Sequence, residues 1–270
     1  MTRETADASS QTPQHALYYT DALIENLQLR WGAGFLSPGG AEELAHMLGG
    51  LDVRGWRLLD FGCGIGGYDA LLAEAHGAGH VIGVDIDAAS LAKADAMRRE
   101  RGLQDRLSFR QVHPGPLPFD AHSFDMVFSK DSIIDSPDKD AILQELFRLC
   151  KPGGLIVLGD WFCSDRPYTE EMREWATTGN ETYQMQSLSD AARLVEAAGF
   201  SDIETVDRNA WFRSYARDEH ERLKGPLYET YVEKFGEDQA RKSVENARIR
   251  SLLADQGQLR PGHVRGRKAK

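Results

Sequence analysis

Positive charge is in short supply along this chain. Against 42 Asp and Glu stand 32 Lys and Arg, a formal net charge of −10, which argues against nucleic acid as a partner. Cysteine is scarcer still. Cys63, Cys150 and Cys163 form no CxxC pair and no metal-ligand spacing, so the expectation is a reduced protein without a metal site. No apolar run approaches the ~18–20 residues of a membrane span. Residues 1–13 are polar, without the apolar stretch of a secretion signal. The sequence leaves oligomeric state open, and the location expected is cytoplasmic. Hydrophobic residues at 41% and aromatics at 9% are enough for a packed core, in one large domain or a domain with a cap.

The stretch that organises the chain is Leu58-Leu59-Asp60-Phe61-Gly62-Cys63-Gly64-Ile65-Gly66-Gly67. A short apolar strand runs into a glycine-rich turn, and a helix follows from residue 67. Glycines belong where the backbone takes positive φ or approaches a ligand closely, and such a strand–turn–helix cradles a nucleotide-like cofactor. Asp60 beside the turn would repel a pyrophosphate but suits a cofactor carrying an ammonium and a sulfonium. The second strand ends in Asp85-Ile86-Asp87, with an acid where a ribose diol is bound. A generic dinucleotide turn is the competing reading.

Around this unit, strands alternate with helices. Strands are expected at 56–61, 80–85, 107–112, 124–129, 154–160 and 203–206. Helices are expected at 67–77, 88–101, 139–149 and 189–198. Alternating βαβ units with short connections mean a doubly wound, mostly parallel α/β sheet. Residues 1–50 read as a leader followed by cap helices, with Thr20 as a helix N-cap. Residues 51–210 read as the core. Residues 211–270 read as charged lid helices and a seventh strand, with Arg248 or Arg265 available to bind a phosphate or carboxylate.

These pieces together resemble the class I S-adenosylmethionine-dependent methyltransferases. The match includes the glycine turn with its two acids, Pro116-Leu117-Pro118-Phe119 ahead of Phe124-Asp125, Lys151-Pro152-Gly153-Gly154, and Ala197-Ala198-Gly199-Phe200. A narrower resemblance, over residues 17–205, is to the phosphoethanolamine N-methyltransferases. It rests on Tyr19-Thr20-Asp21, on Trp31-Gly32 with Phe35-Leu36-Ser37 and Gly39-Gly40, and on Phe128-Ser129-Lys130-Asp131. The resemblance implies S-adenosyl-L-methionine as cofactor, held by Ser37, Asp60, Gly62, Gly64, Gly66, Asp85, Ile86, His113 and Ser129. His113 stands where the wider family commonly has an acid for the adenine amine. It implies catalysis by Tyr19, Asp131 and Asp135. An acceptor site is implied at Tyr18, Trp31, Lys130, Trp161, Glu181 and Tyr183.

Two positions depart from the narrower family. Its catalytic histidine is Asp135 here, and its phosphate-binding arginine aligns near Glu181. A protonated amine acceptor must lose a proton, for which an Asp near ~3.9 is a weaker base than a His near ~6.5. A thioether acceptor needs no base, and its sulfonium product would be stabilised by carboxylates and aromatic faces. The function expected is therefore an S-adenosylmethionine-dependent methyltransferase acting on a small polar or zwitterionic acceptor, at N or S. The alternatives are a non-catalytic cofactor-binding regulatory subunit and a methyltransferase for a larger natural-product acceptor.

Overall fold

The structure, a computed structural model, describes residues 19–177 and 185–270. Its centre is a seven-stranded sheet built from β1 (Arg57–Phe61), β2 (His80–Asp85), β3 (Leu107–Gln111), β4 (Phe124–Lys130), β5 (Cys150–Cys163), β6 (Ser201–Asp207) and β7 (Leu259–Arg267). The order across the sheet is β3-β2-β1-β4-β5-β7-β6. The first five strands run parallel, while β7 lies antiparallel to both β5 and β6. This is the doubly wound sheet expected, and the strand order reverses between β1 and β4, where ligands bind such sheets.

Burial on both faces explains the apolar runs at the centre of β1, β2, β4 and β5. Leu58, Met126, Phe128 and Val157 face one cluster, packed by α2 (Gly40–Leu48) and α3 (Gly67–Glu74). Leu59, Val127 and Ile156 face the other, packed by α5 (Lys139–Leu149) and α7 (Leu188–Ala197). The two-residue period of a strand sends neighbours to opposite sides. The helix α4 (Ala88–Glu100) lies between β2 and β3 in the chain.

A third body stands over the carboxyl edge of the sheet. It combines α1 (Asp21–Trp31), which precedes the sheet in the chain, with α8 (Asn209–Lys224), α9 (Tyr228–Phe235) and α10 (Glu237–Asp255). Leu29 of α1 packs against Leu223, Tyr231 and Ala247, and Tyr231 Oη donates to the Asn26 carbonyl at 3.0 Å. Thr20 caps α1 through its side chain, as expected, accepting from Leu23 N.

Three boundaries differ from the sequence reading. β5 extends well past residues 154–160, because β7 pairs with it as far as Cys163. The helix α6 (Glu170–Ala176) was not expected. Among its seven residues only Met172 and Ala176 are buried, one i, i+4 pair, too little apolar periodicity to be seen. α8 starts at Asn209, two residues before the expected start of the lid, and its first turn carries the aromatic pair Trp211–Phe212. Among the described residues no helix is long and apolar enough to cross a membrane.

Candidate active site

The turn after β1 is held by β2, since Gly62 N and Cys63 N both donate to the Val84 carbonyl, at 2.8 and 3.1 Å. Glycine is required at Gly62 and Gly67 by what approaches them. A Cβ at Gly62, whose φ is +78°, would lie 1.8 Å from Ser132 Oγ, and one at Gly67 would lie 2.0 Å from the Gly34 carbonyl oxygen. The segment between α1 and α2 therefore rests on the first turn of α3. Tyr68 reinforces that contact, its ring 5.1 Å from Phe35 in an edge-on arrangement. Ser37 is buried in the same segment.

Asp85, at the end of β2, spans the turn. One carboxylate oxygen accepts from Gly64 N at 2.8 Å and the other from Asp87 N at 2.9 Å. Burial nonetheless pushes its pKa up. Asp87 is occupied as the cap of α4, accepting from Ser90 N and Ser90 Oγ. Ile86 between them is 43% exposed, one of two large hydrophobic side chains left open to solvent among the described residues. His113, just past β3, is exposed.

Asp60 lies deeper than a residue lining the cleft would, at 2% exposure. Its carboxyl meets that of Asp69, from the first turn of α3. Burial first, then the neighbouring carboxylates, drive Asp60 well above the usual range. Burial raises Asp69 to about 7.

The end of β4 brings Ser129, Lys130 and Asp131 beside the turn. Ser129 Oγ donates to the Phe61 carbonyl at 2.8 Å, so its hydroxyl ties β4 to β1. Asp131 adopts φ +53°, uncommon for a residue with a side chain. Its carboxylate pairs with Lys130 Nζ, and both side chains are almost fully buried. Burial works against the Lys130 charge, but Asp131, Tyr68 and Glu43 together outweigh it and the ammonium pKa rises.

Behind Lys130 sits a group that sequence reasoning did not single out. Glu43 of α2 accepts from His263 Nε2 at 2.6 Å and from Arg208 at 2.8–3.3 Å. Burial would raise the Glu43 pKa, yet the His263 and Arg208 hydrogen bonds bring it down to about 2. His263 does not behave as the partner of an ion pair, because burial lowers its pKa despite the carboxylate. Arg208 supplies the charge, and His263 a neutral N–H.

Asp160 of β5 accepts from Ile134 N at 2.9 Å and from Trp161 N at 2.8 Å. It thereby fixes the 3-10 turn Ile133–Asp135 against β5. Trp161 meets Phe212 of α8 edge-on, with centroids 4.8 Å apart. Tyr19 is half-buried immediately before the α1 cap. Trp31 lies with Arg30 and Arg250 over its ring, at 5.6 and 5.8 Å. Glu219 of α8 bridges those two arginines, at 3.3 and 2.7 Å.

The turn thus gathers Asp60, Gly62, Gly64, Gly66, Asp85 and Ile86, with Ser129, Lys130 and Asp131 alongside. Trp31 belongs to the α1–α8–α10 junction, and His113 to the exposed end of β3. Tyr18, Glu181 and Tyr183 lie outside the described residues. Of Asp135 only the backbone is described. Arg248 and Arg265 pair with Glu245 and Glu204. The inward-facing arginine of α10 is Arg250.

A family described as a methyltransferase domain matches residues 52–223. Phosphoethanolamine N-methyltransferase 1 of Arabidopsis thaliana is 28% identical over 229 residues, 84% of this chain and 45% of that protein. Its namesake in Zea mays is 30% identical over 190 residues, 70% of this chain and 37% of that protein. The chain spans less than half the length of these curated relatives. The structure of phosphoethanolamine N-methyltransferase 2 from Haemonchus contortus, in complex with phosphomonomethylethanolamine and S-adenosylhomocysteine, superposes with a TM-score of 0.85 at 26% identity. That match covers 93% of this chain and 59% of the other.

Proposed function

The chain belongs to the methyltransferase-domain family, and on that premise we propose that it transfers a methyl group from S-adenosyl-L-methionine to a small polar amine acceptor. The observation that carries this reading is the carboxyl edge of β1 and β2. There Asp85 is clamped by two backbone N–H groups beside an exposed Ile86 and above two buried acids. A ribose diol fits Asp85, whose carboxylate oxygens keep lone pairs free after accepting one bond each. An adenine face fits the open Ile86 side chain. Asp60 supplies negative charge for the ammonium of the methionine end.

The bound cofactor supplies an electrophilic methyl on a sulfonium. The chain's task is to hold an acceptor lone pair in line with it and to exclude water. In this reading residues 51–210 carry the cofactor, while residues 1–50 and 211–270 cover the acceptor. Tyr19, Asp131 and Asp135 are assigned to orienting the acceptor and receiving its proton, and Tyr18, Trp161, Glu181 and Tyr183 to its surroundings. Because Asp131 faces Lys130, the pocket presents a balanced pair there, which suits an acceptor carrying both charges.

One observation favours a second reading, S-methylation of a thioether such as methionine. Asp135 stands where the resembled family has a histidine, and a thioether needs no base. Methyl transfer from labelled S-adenosylmethionine to phosphoethanolamine, ethanolamine, glycine, sarcosine and methionine decides between them. Turnover of any amine supports the first reading and turnover of methionine alone the second. Cofactor binding with no turnover across the panel overturns both in favour of a regulatory subunit or a larger acceptor.

A further inference from the structure

Asp69 has no place in the roles assigned so far, yet it is fully buried next to the cofactor turn. It sits in the first turn of α3, and Asp60 at the end of β1, with the glycine turn joining them. Asp60 Oδ1 and both carboxyl oxygens of Asp69 receive no N–H or O–H donor from the rest of the chain. Two carboxyl groups in contact need a proton between them. β2 closes the space from the far side, because a Cβ at Gly83 would lie 2.7 Å from Cys63 Sγ and 2.8 Å from Asp69 Oδ1. The titratable groups facing the pair are Cys63 in the turn and Asp85 from β2. α2 and β3 contribute none, and among the described residues no basic side chain reaches it.

We propose that Asp60 and Asp69 form a proton-holding pair beneath the turn, which releases its proton to solvent when the positively charged methionine end of the cofactor docks above it. The inference rests on S-adenosylmethionine being the cofactor. Asp69 is the positioning residue of the two, acting through Asp60. The mechanism is electrostatic replacement. Without a cation the buried pair cannot carry two negative charges, and an ammonium and a sulfonium arriving above it remove the reason for keeping the proton. Consistent with this, burial raises both carboxyls, Asp69 to about 7. Cofactor binding is therefore weaker in acid and strengthens as pH rises through neutrality.

Titration calorimetry of the whole chain with S-adenosylmethionine tests this at pH 6.5. The cofactor's own α-amino group, near ~7.7–8.0 as a free amine, is still protonated there. The experiment is run in phosphate and in imidazole, which differ in ionisation enthalpy. The expected result is release of roughly half to one proton per cofactor bound, which equals about three- to tenfold in affinity per pH unit between 6 and 7. Asp69→Asn, which mimics the protonated acid, should abolish both the release and the pH slope. Asp85→Asn should weaken binding but keep the release. Binding with equal heats in the two buffers overturns the proposal and leaves the cofactor assignment standing. No binding in either buffer overturns both.

Discussion

The two halves of the site treat charge in opposite ways. Under the cofactor turn Asp60, Asp69 and Asp85 crowd together with no cation beside them, held by backbone N–H groups and by each other. Away from the turn the buried charges are matched. Lys130 faces Asp131, Arg208 faces Glu43, and Arg30 with Arg250 brackets Glu219. The first arrangement leaves buried carboxyl oxygens without a donor. The second is complete by itself, each buried charge paired within the chain.

The largest effect should come from breaking a matched group. Glu219→Ala strands Arg30 and Arg250 in the interior and should cost about 3–5 kcal/mol of stability, read as a fall in denaturation midpoint. Next, Asp85→Ala should weaken S-adenosylmethionine binding by about 1–3 kcal/mol through lost charged hydrogen bonds, measured by calorimetry. Unchanged affinity would remove Asp85 from the cofactor site. Smaller and opposite in sign, Asp69→Asn should stabilise the ligand-free protein by about 1–2 kcal/mol at pH 8 by relieving like-charge strain.

The pH dependence of stability sharpens the contrast. Asp60 and Asp69 titrate higher in the folded chain than in the unfolded one. The native state therefore binds more protons, and stability falls as pH rises from about 4 towards 7. Glu43 behaves in reverse. Its pKa drops to about 2 on folding, so its contribution is present above about 4.5 and is lost as pH falls through about 2. Thermal scans of wild type, Asp69→Asn and Glu43→Gln over this range should separate the two. The smallest effect belongs to the exposed pair Arg248–Glu245, where Arg248→Ala should stay within about 0.5 kcal/mol and leave methyl transfer unchanged.

The half of the site with unmatched charge was the more legible in sequence. A glycine turn with an acid on either side is local, set by backbone geometry within thirty residues. The matched half is assembled across the chain. Glu43 meets His263 from 220 positions away, and neither residue has neighbours that mark it. Asp69 was hidden differently, since an acid in the first turn of a helix already has a reason to be there. The phase of α10 is hard to read because its buried face is mostly small, Ala240, Ser243, Ala247, Ser251 and Ala254, with Leu253 its large apolar member. Arg250 belongs to that face, whereas Arg248 points outward.

The place of β7 has a consequence for how the chain is made. It inserts between β5 and β6, yet of these seven strands it is the last to be synthesised. About 100 residues separate the end of β5 from the end of β7, roughly 5–20 s of synthesis. Throughout that interval β5 presents an open edge and β6 has no strand to join. The helices α8, α9 and α10, made in between, emerge before the sheet they cover is closed. A nascent chain of this topology spends its most adhesive moments waiting for residues 259–267, which makes that short segment the latch of the whole fold.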